Sequence, residues 1–217
     1  RENEPEVWEK MYKYVSVGCA LNYKLTGEIK ESVASNIGNI PFDYKSKKWK
    51  STSDAQYPLF GIAPEKLCDL VQPLQPLGHI TEEASRQTGI KAGLPLIATG
   101  SDKGCESLGT GVIDKESAAL SFGTSATIQF ATDKYVEPVT LLPSYPAVMP
   151  HLYNPEIQIY RGYWMLTWFI REFAPEEAKR AEELGCQPED ILNEVLDLVP
   201  PGCEGLMLQP FWAPQLK

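Results

Sequence analysis

The 217-residue sequence is 43% hydrophobic and carries a formal net charge of -9 from 20 basic and 29 acidic side chains. That apolar content is enough for a real core in one large domain or two small ones, which excludes a disordered chain. The acidic balance excludes broad binding to nucleic acid or anionic membranes, because the basic residues cluster only at Lys45, Lys47, Lys48 and Lys50, a pattern of a solvated loop.

At the start, Val7, Trp8, Met11, Tyr12, Val15, Cys19 and Tyr23 recur at helical spacing and predict one amphipathic core helix that stops at Gly27. Ser32 to Asn39 is small and polar, suited to a surface or cleft-lining loop. Tyr44 to Thr52 carries the lysines and Trp49, and Leu59 to Val71 follows, with Pro64 tolerable in the first turn of a helix. Pro73 and Pro76 impose extended backbone. Thr81 reads as an N-cap with Glu82 and Glu83 in the first turn of a short helix ended by Gly89. His79, just before it, reads as a turn residue.

The most informative stretch is Gly93 to Ala131. Pro95 to Thr99 is a short apolar run bounded by glycines, the pattern of a buried strand, and it delivers Asp102 to its C-terminal end. Lys103 to Leu108 forms a short helix closed by Gly109. A polar turn at Asp114, Lys115 and Glu116 leads into a strand over Ala118 to Phe122, and Gly123-Thr124-Ser125 joins it to another over Thr127 to Ala131. The composition shift from Val112 to Glu116 is the best domain boundary.

Beyond Ala131 the chain is rich in Pro and Tyr and reads as irregular strand and loop to Pro155. His151 has no metal-binding companions and reads as structural. Ile157 to Tyr160 is a candidate strand. Gly162 then opens an aromatic helix through Trp164, Leu166, Thr167, Trp168, Ile170 and Phe173. Pro175 to Leu184 and Pro188 to Leu198 are charged amphipathic helices separated by Gly185, and Gly205 to Phe211 reads as an apolar strand.

Five cysteines, Cys19, Cys68, Cys105, Cys186 and Cys203, are odd in number and without paired spacing, so reduced thiols are expected rather than a zinc motif or a disulfide framework. Cys105 lies near Asp102 in sequence, but a small buried thiol accounts for it. With no apolar run of transmembrane length and no targeting segment, a cytoplasmic protein is expected.

The chemistry these residues suit is phosphoryl transfer. Asp102 is the candidate base that takes the proton of an attacking hydroxyl, and a glycine turn with two adjacent hydroxyls, Thr124 and Ser125, can approach a phosphate without side-chain bulk. A plain hairpin with a solvated aspartate at its rim explains the same letters. Gly104 and Gly109 have P-loop spacing, but Thr110 and Gly111 stand where that motif needs Lys and Ser or Thr. Gly123 to Ser125 also begins like a nucleophile elbow, yet Thr127 occupies the place of its last glycine, and only His79 and His151 are available as base.

The combination of Gly100-Ser101-Asp102, Leu108-Gly109-Thr110-Gly111 and Ser121-Phe122-Gly123-Thr124-Ser125 resembles the centre of the FGGY family of carbohydrate kinases. The resemblance extends upstream through Asn3 to Glu6, Leu25-Thr26-Gly27-Glu28, Ser32 to Ser35 and Trp49, and downstream through Trp168 and Pro200 to Pro210. It implies an α/β, ribonuclease-H-like fold of the actin and hexokinase superfamily, with parts of two domains flanking a cleft. Residues 1–113 would end the sugar-binding domain and residues 114–217 would begin the nucleotide-binding domain. The implied activity is ATP-dependent phosphorylation of a sugar or polyol, with Mg²⁺ bridging phosphate oxygens.

By that resemblance Asp102 is the catalytic base, Gly123, Thr124 and Ser125 contact nucleotide phosphates, and Gly162 neighbours a phosphate or the ribose. Lys103 stands where the family commonly places a sugar-holding Asn or Gln. It is either a substrate contact, favouring an anionic or oxygen-rich substrate, or a surface lysine. Glu31 stands where aspartate is expected, and no substrate role is carried to it. The family's Asp-x-Gly-Thr phosphate motif and glycine-rich adenosine segment do not occur in the sequence. The chain alone is therefore expected to lack kinase activity, and either to associate with itself, as in a homodimer, or to depend on the segments it lacks. The rival functions are a non-catalytic kinase-like module that binds sugar or a partner, and a serine hydrolase acting through Ser125.

Overall fold

The computed structural model describes residues 2–38, 41–140, 142–196 and 198–208. These residues form two units, Arg1–Ala119 with Gln129–Glu156, and Leu120–Ile128 with Ile157–Lys217.

The first unit does not begin with one long helix. It has two, Pro5–Lys10 (α1) and Val17–Thr26 (α2), with residues 11–16 extended between them. Competition from residues 64–67 explains the break. Tyr14 donates its N–H to the Lys66 carbonyl at 2.7 Å, the Lys66 ammonium donates to the Met11 carbonyl at 2.7 Å, and the Lys13 ammonium donates to the Leu67 carbonyl at 2.8 Å. The aromatic and β-branched run of Tyr12, Tyr14, Val15 and Val17 gives little helical preference to resist this, and Ser16 starts the second helix by accepting the Cys19 N–H. Of the expected apolar stripe Cys19 is fully buried, whereas Tyr12 is 77% exposed. Gly27 ends α2 in the left-handed conformation, as its position after the stripe suggested.

The segment after α2 corrects a second expectation. Lys30–Ser32 (β1) pairs in parallel with Asp69–Val71 (β4), and a 3₁₀ turn follows over Val33–Ser35. Ser32, Val33 and Ala34 are about 1% exposed, so this is interior backbone rather than a surface loop. Asn39 lies outside the described residues. Phe42–Asp43 (β2) and Lys48–Trp49 (β3) form a hairpin, and Pro64 occupies the first turn of a 3₁₀ helix, Pro64–Lys66. Pro76–His79 (β5) pairs antiparallel with Pro95–Ile97 (β6). The run at β6 is not buried along its length: Pro95 and Ile97 face outward, and Ala98 is the residue that reaches the core. Between those strands Glu82–Thr88 (α3) is capped by the Thr81 side chain and closed by Gly89, as the spacing predicted.

Asp102–Gly109 (α4) follows. Ala118–Phe122 (β7), Ala126–Phe130 (β8) and Glu156–Ile159 (β11) make a three-stranded sheet with β8 in the centre. The Pro- and Tyr-rich segment contributes a short antiparallel pair, Tyr145–Pro146 (β9) with Tyr153–Asn154 (β10). In the second unit Met165–Phe173 (α5), Pro175–Leu184 (α6) and Pro188–Leu196 (α7) pack in sequence through buried Ile170, Ala174, Ala181 and Ile191. The expected strand after Gly205 is absent over Leu206–Leu208, which follows a 3₁₀ turn, Cys203–Gly205. The rest of that segment, to Phe211, lies outside the described residues. All five cysteines are free, and Cys105 is exposed rather than buried.

Phe42 anchors the hairpin of the first unit. It is 1% exposed and packs edge-on against Tyr44 at 5.2 Å and Trp49 at 5.7 Å, while Tyr44 meets Tyr145 at 5.4 Å. Replacing Phe42 by Ala empties that contact, and we expect a loss of about 3–5 kcal/mol in urea unfolding. A loss below about 1 kcal/mol would mean that the ring site collapses without cost.

Candidate active site

The site residues expected from the sequence fall in two groups, Asp102 and Lys103 in the first unit and Gly123, Thr124, Ser125 and Gly162 in the second.

The first group opens α4. Ser101 is its N-cap, accepting the Gly104 N–H on its hydroxyl at 3.1 Å, so Asp102 stands at the first helical position. One carboxylate oxygen, Oδ1, accepts the Lys103 N–H at 2.7 Å, whereas Oδ2 makes no hydrogen bond with another described residue. Asp102 is thus an exposed carboxylate, held on one oxygen and open on the other, which is the geometry a proton acceptor needs.

Lys103 turns its ammonium to Glu106, 2.7 Å away in an i,i+3 pair. The hydrogen bond to Glu106 raises its pKa, burial opposes that effect, and the carboxylates of Glu106, Asp102 and Glu156 add to the rise. Its charge is therefore fixed, and it sits among acids.

What holds α4 in place was not visible in the sequence. The loop before it is tied down by Ser32, whose hydroxyl donates to the Thr99 carbonyl, and by Ala34, whose carbonyl accepts the Ser101 N–H at 3.0 Å. The far end is tied by a buried polar chain. Ser107, 2% exposed, donates to Gln129, and the Gln129 amide donates to Glu156 at 2.9 Å. The Ser101 cap acts over only three residues. The Ser107 and Gln129 pairing spans 22 residues and leaves no local signal.

The second group is built on a close approach. The turn Gly123 to Ser125 joins β7 to β8, with the Gly123 N–H donating to the Ser125 carbonyl at 2.9 Å. Gly162 lies against this turn, donating its N–H to the Thr124 carbonyl at 2.7 Å, and Tyr163 donates to the Gly123 carbonyl at 2.9 Å. A Cβ on Gly162 would lie 2.1 Å from the Ala126 nitrogen and 2.3 Å from the Ser125 carbonyl carbon, so only glycine fits. The Thr124 and Ser125 hydroxyls make no hydrogen bond with other described residues, and Gly123 and Thr124 are exposed. An open glycine turn with two unengaged hydroxyls suits the oxygens of a phosphate. Among the described residues no group of three or more His, Cys, Asp or Glu is placed to hold a metal ion, and no helix is long and apolar enough to cross a membrane.

These features define the fold class. Xylulose kinase from Rhodospirillum rubrum superposes with a TM-score of 0.81 at 24% identity, covering 97% of this chain and 41% of that one. The fold is the α/β, ribonuclease-H-like arrangement of the actin and hexokinase superfamily. The model of the FGGY family of carbohydrate kinases, N-terminal domain, matches residues 1–109, and the chain belongs to that family. Similar proteins include the uncharacterised sugar kinase YgcE of Escherichia coli (strain K12), 38% identical over 198 residues, which are 88% of this chain and 39% of that protein. A gluconokinase of Bacillus licheniformis is 28% identical over 214 residues, 96% of this chain and 40% of its own length. The chain thus spans about two fifths of the length of the curated relatives it matches.

The packing at Gly162 gives a direct test. Gly162→Ala cannot be absorbed by a side-chain shift, because the nearest atoms are backbone, so the turn itself must move. We expect a cost of at least about 2–3 kcal/mol in unfolding together with chemical-shift changes at Thr124 and Ser125. Wild-type stability would show that the approach at Gly162 is looser than described.

Proposed function

We propose that the chain is part of an ATP-dependent carbohydrate kinase that phosphorylates a hydroxyl of a small sugar or polyol. The observation that carries this reading is the family match, which runs through α4 to its last residue, Gly109. The relatives' names, gluconokinase and xylulose kinase, support a sugar or sugar-derived acceptor.

In this reading residues 1–113 end the sugar-binding domain and residues 114–217 begin the nucleotide-binding domain. Asp102 accepts the proton of the acceptor hydroxyl on its unengaged oxygen as that hydroxyl attacks phosphorus. Lys103, next to the base, is the residue that contacts the acceptor. Thr124 and Ser125 donate hydroxyl hydrogens to phosphate oxygens, and Gly123 and Gly162 keep the approach clear of side chains. ATP would supply the phosphoryl group, with Thr124 and Ser125 as its phosphate contacts, and a Mg²⁺ ion bound with it would offset the phosphate charge. The setting is cytoplasmic, and the partner is the small-molecule substrate rather than nucleic acid or a membrane.

The decisive measurement is ADP release by the protein made from its complete reading frame, screened over pentoses, hexoses, polyols and sugar acids. Asp102→Asn should lower kcat by a factor of about 100 or more, with unfolding and acceptor binding little changed, as expected when a positioned base is lost. Near wild-type turnover in that variant would remove Asp102 from the chemistry.

A further inference from the structure

The first unit contains a second feature that the phosphoryl-transfer reading does not use. A cavity of about 200 Å³ is lined by Tyr14, Ser16, Glu31, Ser35, Asn36 and Trp49, with Cys68 on its wall. Glu31 is 4% exposed. Its Oε2 accepts from the Ser16 hydroxyl, and its Oε1 has no hydrogen-bond partner among the described residues. The neighbouring thiols do not share the charge. Burial, then the Glu31 carboxylate, pushes the Cys19 thiol up; burial, then Cys19 and Glu31, pushes Cys68 up to about 12, so both stay neutral. Glu31 is the sole formally charged side chain among the residues that line the cavity.

Among the described residues no fully buried side-chain oxygen lacks a hydrogen bond, so the unpaired Oε1 of Glu31 retains accessible surface, and a cation admitted to the cavity can pair with it. The rest of the wall suits a particular kind of cation. Trp49 and Tyr14 offer aromatic rings, which attract ammonium groups through their negative faces. Asn36 donates its amide to the Ser32 carbonyl at 2.8 Å, and its Oδ1 makes no hydrogen bond with another described residue, which leaves it free to accept. At roughly 30 Å³ for each water-sized group, the volume holds on the order of six heavy atoms, far more than a bare inorganic ion occupies.

We propose that this cavity binds a small organic ammonium ion, with Glu31 as its counter-charge, Asn36 as acceptor, and Trp49 and Tyr14 against its alkyl and ammonium surface. The proposal does not depend on the kinase reading.

The test is a titration of the ¹⁵N-labelled protein with ethylammonium chloride, followed at the Trp49 indole N–H and the Asn36 side-chain amide. Potassium chloride at matched ionic strength is the control. Saturable shifts are expected with ethylammonium at a Kd of about 1 mM or below, and none with potassium. Glu31→Gln keeps the shape and an acceptor for Ser16 but removes the charge, and should weaken binding at least about tenfold. Ser35→Leu fills the cavity without touching Glu31 and should abolish the shifts, which provides a second arm if Glu31→Gln does not fold. Absence of saturation in the wild-type protein, equal shifts from potassium, or undiminished binding in Glu31→Gln would each overturn the proposal.

Discussion

The position of Asp102 depends on two hydrogen bonds that reach it from residues 67 positions away. Ser32 gives its hydroxyl hydrogen to the Thr99 carbonyl, and the Ala34 carbonyl takes the Ser101 N–H. Both partners lie at the end of β6, where the chain leaves the sheet for α4. Ser32 and Ala34 are buried, so losing either bond would leave a polar group of theirs unpaired in the interior. The direction of α4, and with it the carboxylate at its first turn, is therefore set by how firmly β1 and its 3₁₀ turn are buried. Ser101 links the two scales, since its backbone N–H is held by Ala34 while its hydroxyl caps the helix.

The glycine turn of the second unit is positioned on a different principle. No buried polar side chain holds Gly123 to Ser125; two backbone N–H groups from residues 162 and 163 do. Backbone-to-backbone contact at this range needs an absent side chain, which Gly162 supplies, and it leaves the turn's own hydroxyls uncommitted. The aromatic residues that follow take over the packing: Tyr163 rests on Phe122 with ring centroids 6.0 Å apart, and Phe169 stacks on Phe173 at 5.3 Å. Bulk at residues 163 and 164 thus belongs to the support behind the turn.

The sequence made legible the features whose causes are local. The Thr81 cap with Gly89, the hairpin around Gly123 and the paired helices after Pro175 all follow from spacings of a few residues, and each forms as expected. The failures have distant causes. The helix expected from Val7 to Tyr23 is broken by Lys66, more than 40 residues ahead, which captures carbonyls that a continuous helix would use. Ser32 to Asn39 looks polar enough for the surface or a cleft, but the Ser32 hydroxyl and the Ala34 carbonyl find their partners just after β6, so residues 32–34 are interior. The site residues were found by motif, whereas Ser107 with Gln129 was invisible because a buried serine and glutamine paired across 22 residues carry no periodicity.

The acids around α4 explain why a lysine follows the candidate base. The carboxylates of Glu106, Asp102 and Glu156 all act on the Lys103 ammonium and raise its pKa. Lys103 pairs with Glu106, one turn along the helix, while the second oxygen of Asp102 makes no hydrogen bond with another described residue. A direct pair with Asp102 would instead have set the ammonium against that oxygen, the one that takes the proton in the function proposed above. The pairing one turn along the helix keeps the lysine close to the acids and the carboxylate oxygen uncovered at the same time.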